Sequence, residues 1–285
     1  MDWFEETLHP GFHSRLGINR VLHETKTNHQ HLIIFDNEEF GRVLALDGVV
    51  QTTEQDEFIY HEMLAHAPIL AHGRARNVLI VGGGDGGMLE EVLKHDSVET
   101  AVQVEIDDTV VELAKQHLRM ICGDAYEDPR TELVIADGVE YVNETDRRFD
   151  IIIVDSTDPI GPGEVLFGQR FYGGCKQCLA DGGILVTQNG VPFVQGEELS
   201  NTMQIFKSLF AEAACYRAGV PAYIGGDMTF GWGSDTPGYA DVELDTLSAR
   251  FNAAGLKTDY YTPKVHMGAF ALPPYIARLM EKVPD

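Results

Sequence analysis

The chain has 285 residues, 44 % of them hydrophobic, and carries 45 Asp and Glu against 21 Lys and Arg, for a formal net charge of −24. That is enough apolar material for one large domain, or for a small domain joined to a larger one; the charge repels nucleic-acid phosphates and suits either a cationic ligand or plain solubility. No apolar run reaches the roughly 18 residues needed to span a membrane, and the acidic start Asp2-Trp3-Phe4-Glu5-Glu6 lacks the basic and apolar regions of a signal peptide, so the expectation is a cytoplasmic protein with neither a membrane nor a nucleic-acid partner.

The first 55 residues read as strands. Runs at 31–35, 42–46 and 49–53, divided by Asp36-Asn37-Glu38-Glu39 and by the turn pair Asp47-Gly48, predict a small antiparallel sheet. Over residues 56–71, Phe58, Ile59, Met63, Leu64 and Ala67 fall at helical spacing, with Pro68 a point where the helix can kink or stop. From residue 78 the rhythm changes. Apolar runs at 78–81, 101–104, 133–136, 151–154 and 183–187 alternate with helical stretches at 87–94, 108–118, 171–179 and 196–210. This alternation predicts an α/β protein. A doubly wound, Rossmann-like sheet of the class I methyltransferase kind would occupy residues 56–285, after a small N-terminal antiparallel β domain over residues 1–55. Cys175 and Cys178 have no matching second pair and read as two small apolar residues on one helical face. Trp232 reads as core, and His29, His31 and His66 are too scattered to suggest a metal site.

Four successive predicted strands end in a glycine loop or an acid: Gly82-Gly83-Gly84-Asp85-Gly86-Gly87, then Glu105, Asp137-Gly138 and Asp155. In an open α/β sheet, ligands bind beyond these strand ends. Gly82 and Gly84 let a ligand approach the backbone closely. Glu105, about 20 residues on, is placed to accept both hydroxyl hydrogens of a ribose, which fits a dinucleotide and an adenosyl sulfonium cofactor equally. An acid beside a backbone N–H at Asp137-Gly138 suits an adenine edge. Asp85 discriminates further. It would repel the pyrophosphate of a dinucleotide, whereas decarboxylated S-adenosylmethionine offers a sulfonium and a free ammonium with no anion nearby. Asp85 could anchor that ammonium and reject the carboxylate of intact S-adenosylmethionine, or it could simply cap the next helix.

Three segments are distinctive: Leu46-Asp47-Gly48-Val49-Val50-Gln51-Thr52-Thr53-Glu54, the glycine loop, and Asp155-Ser156-Thr157-Asp158-Pro159-Ile160-Gly161-Pro162; Tyr60-His61-Glu62 and Pro221-Ala222-Tyr223 accompany them. With these the chain resembles, over nearly its whole length, the polyamine aminopropyltransferases of the bacterial spermidine synthase type. The resemblance implies transfer of an aminopropyl group from decarboxylated S-adenosylmethionine, a co-substrate rather than a prosthetic group, to putrescine, without a metal, in a homodimer or homotetramer. It implies that Gln30, Glu105, Asp137, Gly138 and Pro162 line the nucleoside site and that Asp85 holds the aminopropyl ammonium. Asp155 would be the base, and Tyr60, His61, Asp158 and Tyr223 would line the acceptor groove. From the residues alone, His61 could equally be structural and Asp158 could cap its loop. One departure stands out: Glu90 and Glu91 follow Met88-Leu89, where relatives commonly carry Arg. An N-methyltransferase on the same fold, a non-catalytic polyamine sensor and an NAD-dependent oxidoreductase are the rival readings.

Overall fold

The computed structural model describes residues 2–159 and 161–282, with the side chains of Gly161 and Pro162 outside that description. Strands β1 (Asp2–Glu5) and β2 (Arg15–Ile18) pair with each other, and β3 (Arg20–Lys26), β4 (His31–Asn37), β5 (Gly41–Leu46) and β6 (Val49–Thr53) form a four-stranded antiparallel meander. Alternation gives the meander two apolar faces. Leu32, Ile34 and Leu44 pack with Val110 and Leu113, while Ile33, Phe35 and Val43 pack with Ala222.

Helix α1 (Glu57–His72) runs straight through Pro68. Every residue from Ile59 to His72 is buried, and that burial outweighs the one backbone hydrogen bond a proline removes. The helix stops instead at Gly73, which takes φ 76° and donates its N–H to the Ile69 carbonyl.

Seven strands follow: β7 (Asn77–Gly82), β8 (Thr100–Glu105), β9 (Thr131–Ile135), β10 (Phe149–Asp155), β11 (Leu179–Gln188), β12 (Glu212–Ala218) and β13 (Met228–Ser234). They lie in the order β12-β13-β11-β10-β7-β8-β9. The five strands expected from the apolar runs are parallel, and beyond them β13 pairs antiparallel with both β11 and β12. Glycines hide β13 in the sequence. A Cβ at Gly233 would stand 2.5 Å from the Phe210 ring, so the strand trades side chains for close packing. Trp232 lies between those glycines, fully buried, with Nε1 donating to Glu212.

The remaining helices are α2 (Gly87–Leu93), α3 (Asp108–His117), α4 (Arg119–Cys122), α5 (Gly138–Glu144), α6 (Gln169–Cys178), α7 (Pro192–Leu209), α8 (Leu244–Ala254), α9 (Pro263–Ala269) and α10 (Pro274–Glu281). Successive residues of the central strands feed two cores. Val78, Ile80, Ile151 and Ile153 join the side chains of α1 and α2, and Leu79, Val81, Ile152 and Val154 join those of α5, α6 and α7. Cys175 and Cys178 are unpaired and buried in the second core. Glu90 and Glu91 both pair with Lys94 (2.9 and 2.7 Å), and Glu91 also lies 3.0 Å from the buried His66. Lys94, at the end of the same helix, thus answers both acids, while burial keeps His66 neutral beside Glu91.

From β7 the chain moves outward through β8 to β9, then returns to place β10 on the other side of β7. That reversal opens a crevice at the carboxyl ends of β7 and β10. Register sets Asp155 opposite Gly82 there.

Candidate active site

A cavity occupies this crevice and is closed by the N-terminal strands, which contribute Gln30, Leu46 and Gln51. Glycines let the acids converge. A Cβ on Gly82, which has φ 88°, would sit 2.1 Å from the Asp155 carbonyl; one on Gly83, with φ 66°, would sit 2.7 Å from Asp155 Oδ2. Only residues without a side chain fit at those two positions.

Asp155 lies at the end of β10. Its Oδ1 accepts the Tyr60 hydroxyl at 2.7 Å, and its Oδ2 is shielded from solvent with no hydrogen-bond partner among the described residues. Burial and the nearby Asp85 push its pKa up to about 6, against the opposing pull of His61. Tyr60 packs edge-on against Tyr223, whose hydroxyl donates to the Gln51 carbonyl. Tyr223 is held in place through Asp56, which accepts the Ala222 N–H and the Thr53 hydroxyl.

Asp85 does two things at once. Its Oδ1 accepts the Gly87 N–H at 2.8 Å at the start of α2, and the carboxylate also borders the cavity. His61 stands one layer behind it and does not line the cavity. It is almost fully buried, donates from Nδ1 to Glu57, and brings Nε2 within 3.7 Å of Asp85. Burial disfavours its cation, but Asp85 and Glu57 outweigh that and raise its pKa to about 10. The expectation that His61 faces the acceptor gives way to a buried imidazolium that braces Asp85, because α1 turns the ring toward α2.

At the other end of the cavity stand Gln30, Glu105, Asp137 and Gly138. Glu105 Oε1 accepts the Asp107 N–H, and burial raises its pKa to about 7. Asp137 caps α5, accepting the N–H groups of Val139 and Glu140. Gln30 donates to Asp107 Oδ2, which also receives the Thr27 hydroxyl. Pro162 lies outside the described side chains.

The cavity therefore has an acidic, tyrosine-walled half and a half lined by Gln30, Glu105, Asp137 and Gly138. Residues 57–244 match the family model described as the spermine/spermidine synthase domain, and residues 2–54 match the spermidine synthase tetramerisation domain. The chain belongs to the spermine/spermidine synthase family. It is 57 % identical to polyamine aminopropyltransferase 1 of Pseudomonas aeruginosa over 282 residues, covering 99 % of each chain. It is also 57 % identical to the polyamine aminopropyltransferase of a Ruegeria species over 277 residues, 97 % of this chain and 98 % of the relative. Among solved structures it resembles a spermidine synthase in complex with the transition-state analogue AdoDATO (TM-score 0.93, 36 % identity, 98 % of this chain and 94 % of the other). The spermidine synthase of Thermotoga maritima is similarly close (TM-score 0.92, 35 % identity, 99 % and 94 %). The resemblance read from the motifs is borne out, and the chain is an aminopropyltransferase; the dinucleotide and methyltransferase readings fall away.

Asp158, named from the motif over residues 155–162, lines the cavity of this aminopropyltransferase and accepts an N–H from the Gln195 amide. Two further acids near it carried no signal in the sequence. Glu6, from the start of the chain, comes to the same end of the cavity, accepts the Ser14 hydroxyl and has its pKa raised by burial to about 7. Glu198 lies next to Gln195 and is kept well above the usual carboxylate range by burial, then by Asp158. Spacing links none of these, because strand order and the N-terminal hairpin bring them together. Among the described residues no group of three or more His, Cys, Asp or Glu is arranged to hold a metal ion.

Proposed function

We propose that this aminopropyltransferase moves the aminopropyl group of decarboxylated S-adenosylmethionine to putrescine, giving spermidine and methylthioadenosine, with Asp155 as the base. The observation that carries the reading is Asp155 Oδ2, without a hydrogen-bond partner among the described residues and beside Asp85 in a cavity rich in carboxylates. Glu105 would take the ribose hydroxyls and Asp137-Gly138 the adenine edge, with Gln30 and Pro162 beside the nucleoside. Asp85 would hold the aminopropyl ammonium, while the imidazolium of His61 fixes its carboxylate from behind.

The acceptor nitrogen attacks the carbon attached to the sulfonium. The C–S bond breaks and its electron pair stays on sulfur, so the leaving group departs neutral and needs no acid. The barrier lies in the nucleophile. An alkyl ammonium has a solution pKa of about 10.4, so near pH 7.5 only about one molecule in 10³ is a free amine. That costs roughly 4 kcal/mol unless a base takes the proton. Asp155 Oδ2 would accept it, while Tyr60 and Tyr223 orient the amine without adding charge at neutral pH. The distal ammonium would keep its proton against Asp158 and Glu6.

Purified protein given the co-substrate and a panel of diamines, with products identified by mass, tests the assignment. Spermidine and methylthioadenosine are expected, with putrescine preferred over cadaverine and agmatine. S-adenosylhomocysteine from intact S-adenosylmethionine, or a better rate with another acceptor, would refute it. The pH profile is a second check. Asp155 accepts a proton only as a carboxylate, so kcat should fall about tenfold per pH unit below the pKa of about 6 and rise toward mildly alkaline pH. A kcat flat from pH 5 to 9, with chemistry limiting, removes Asp155 from this role.

The same reading has the enzyme working as a homodimer or homotetramer in the cytoplasm, without nucleic acid. The match of residues 2–54 to a tetramerisation domain supports assembly, and sedimentation equilibrium distinguishes two copies from four. Among the described residues no helix is long and apolar enough to cross a membrane.

A further inference from the structure

The carbonyls of the glycine loop are held from behind by two side chains that do not line the cavity. Gln103, fully buried on β8 two residues before Glu105, donates from Nε2 to the carbonyls of Gly82 (3.0 Å) and Gly83 (2.5 Å). Tyr126, in the 3-10 turn Ala125–Glu127 ahead of β9, donates its hydroxyl to the Gly84 carbonyl at 2.9 Å. The Gln103 amide adjoins that hydroxyl, and the Tyr126 ring lies against Gly86, where an added Cβ would stand 2.7 Å from Cε2. Loop residues 82, 83, 84 and 86 are all gripped, which leaves Asp85 as the side chain presented to the cavity.

Buried carbonyls need donors. A loop with positive φ at Gly82, Gly83 and Gly86 cannot draw them all from a regular ladder: the Gly86 N–H reaches the Gly83 carbonyl, and side chains on neighbouring segments supply the other donors. Glycines give the loop little stiffness of its own.

We infer that Gln103 and Tyr126 are positioning residues for the aminopropyl end of the co-substrate: by holding three consecutive loop carbonyls they fix the place from which Asp85 presents its carboxylate. This rests on the reading of Asp85 as the ammonium anchor. The nucleoside half is secured separately, Glu105 by the Asp107 N–H, Gln30 by Asp107 Oδ2 and Asp137 by the first turn of α5. Loosening the grip therefore weakens the ammonium contact and spares the nucleoside contacts.

Titration calorimetry of Tyr126→Phe and Gln103→Leu with decarboxylated S-adenosylmethionine and with methylthioadenosine tests the inference. Asp85→Asn serves as reference, and melting temperatures are recorded alongside. Affinity for the co-substrate should fall about 10-fold to 100-fold, while that for methylthioadenosine holds within about threefold. A purely structural role would lower the melting temperature and weaken both ligands by one factor, and that result overturns the inference. If Asp85→Asn shifts the ratio of the two affinities and neither Tyr126→Phe nor Gln103→Leu does, the grip alone is wrong. If Asp85→Asn leaves the ratio unchanged, the anchor reading fails and the inference with it.

Discussion

Asp155→Asn is expected to lower turnover by about 10²–10⁴-fold under saturating substrates. The amide is isosteric, so the Tyr60 hydroxyl can still donate to the remaining oxygen at the position of Oδ1. What changes is the side that would face the acceptor. The buried, unpartnered Oδ2 becomes an NH₂ group, which cannot take a proton and points a donor at an amine that itself needs an acceptor. The fold should not suffer, because burial disfavours ionised Asp155 by more than the His61 cation favours it. A neutral residue escapes that desolvation penalty, and the melting temperature of the variant should equal or exceed that of the wild type. This pairing of lost turnover with kept stability separates a chemical role from a structural one. Retention of more than a third of wild-type turnover would take Asp155 out of the reaction.

Asp85→Asn should weaken decarboxylated S-adenosylmethionine by about 2–4 kcal/mol, or roughly 30-fold to 1,000-fold, the range for breaking a substantially buried charged contact. Methylthioadenosine has no ammonium and should lose far less. Intact S-adenosylmethionine should bind relatively better, since its carboxylate no longer meets a fixed negative charge. Asp85 Oδ1 also accepts the Gly87 N–H, and the Asn carbonyl can keep that bond, so loss of the cap does not explain a ligand-selective effect. The substitution also leaves the His61 imidazolium with Glu57 as its closest counter-charge. Unchanged relative affinities for the three ligands would reduce Asp85 to a cap.

Much of the site was legible because its chemistry sits at strand ends. An apolar run followed by an acid or by glycines marks the carboxyl edge of a parallel sheet wherever it occurs, so Gly82, Asp85, Glu105, Asp137 and Asp155 could be named without coordinates. His61 shows where that legibility stops. A histidine beside a site tyrosine on one helix reads as another groove residue, but at helical spacing adjacent residues point about 100° apart. Tyr60 reaches Asp155 while His61 turns into the gap behind Asp85. Glu6 and Glu198 were invisible for a different reason: a lone acid near the chain start and another on a helix look solvated until the fold buries both beside Asp158.

Local patterns by themselves determined three of the N-terminal strands (β4, β5 and β6), the helix that follows, the five parallel strands and the acids at their ends, since side-chain alternation, turn pairs and strand-end punctuation are short-range properties. Tertiary structure alone decided the rest. Strand order put β10 against β7 and so set Asp155 beside the glycine loop; close packing turned a glycine-broken segment into β13; and the buried Gln103 and half-buried Tyr126 took hold of the loop from elements 20 and 42 residues away. These are choices among long-range pairings, and their free energy comes from burying apolar faces and satisfying buried carbonyls between segments, which no local window of sequence contains.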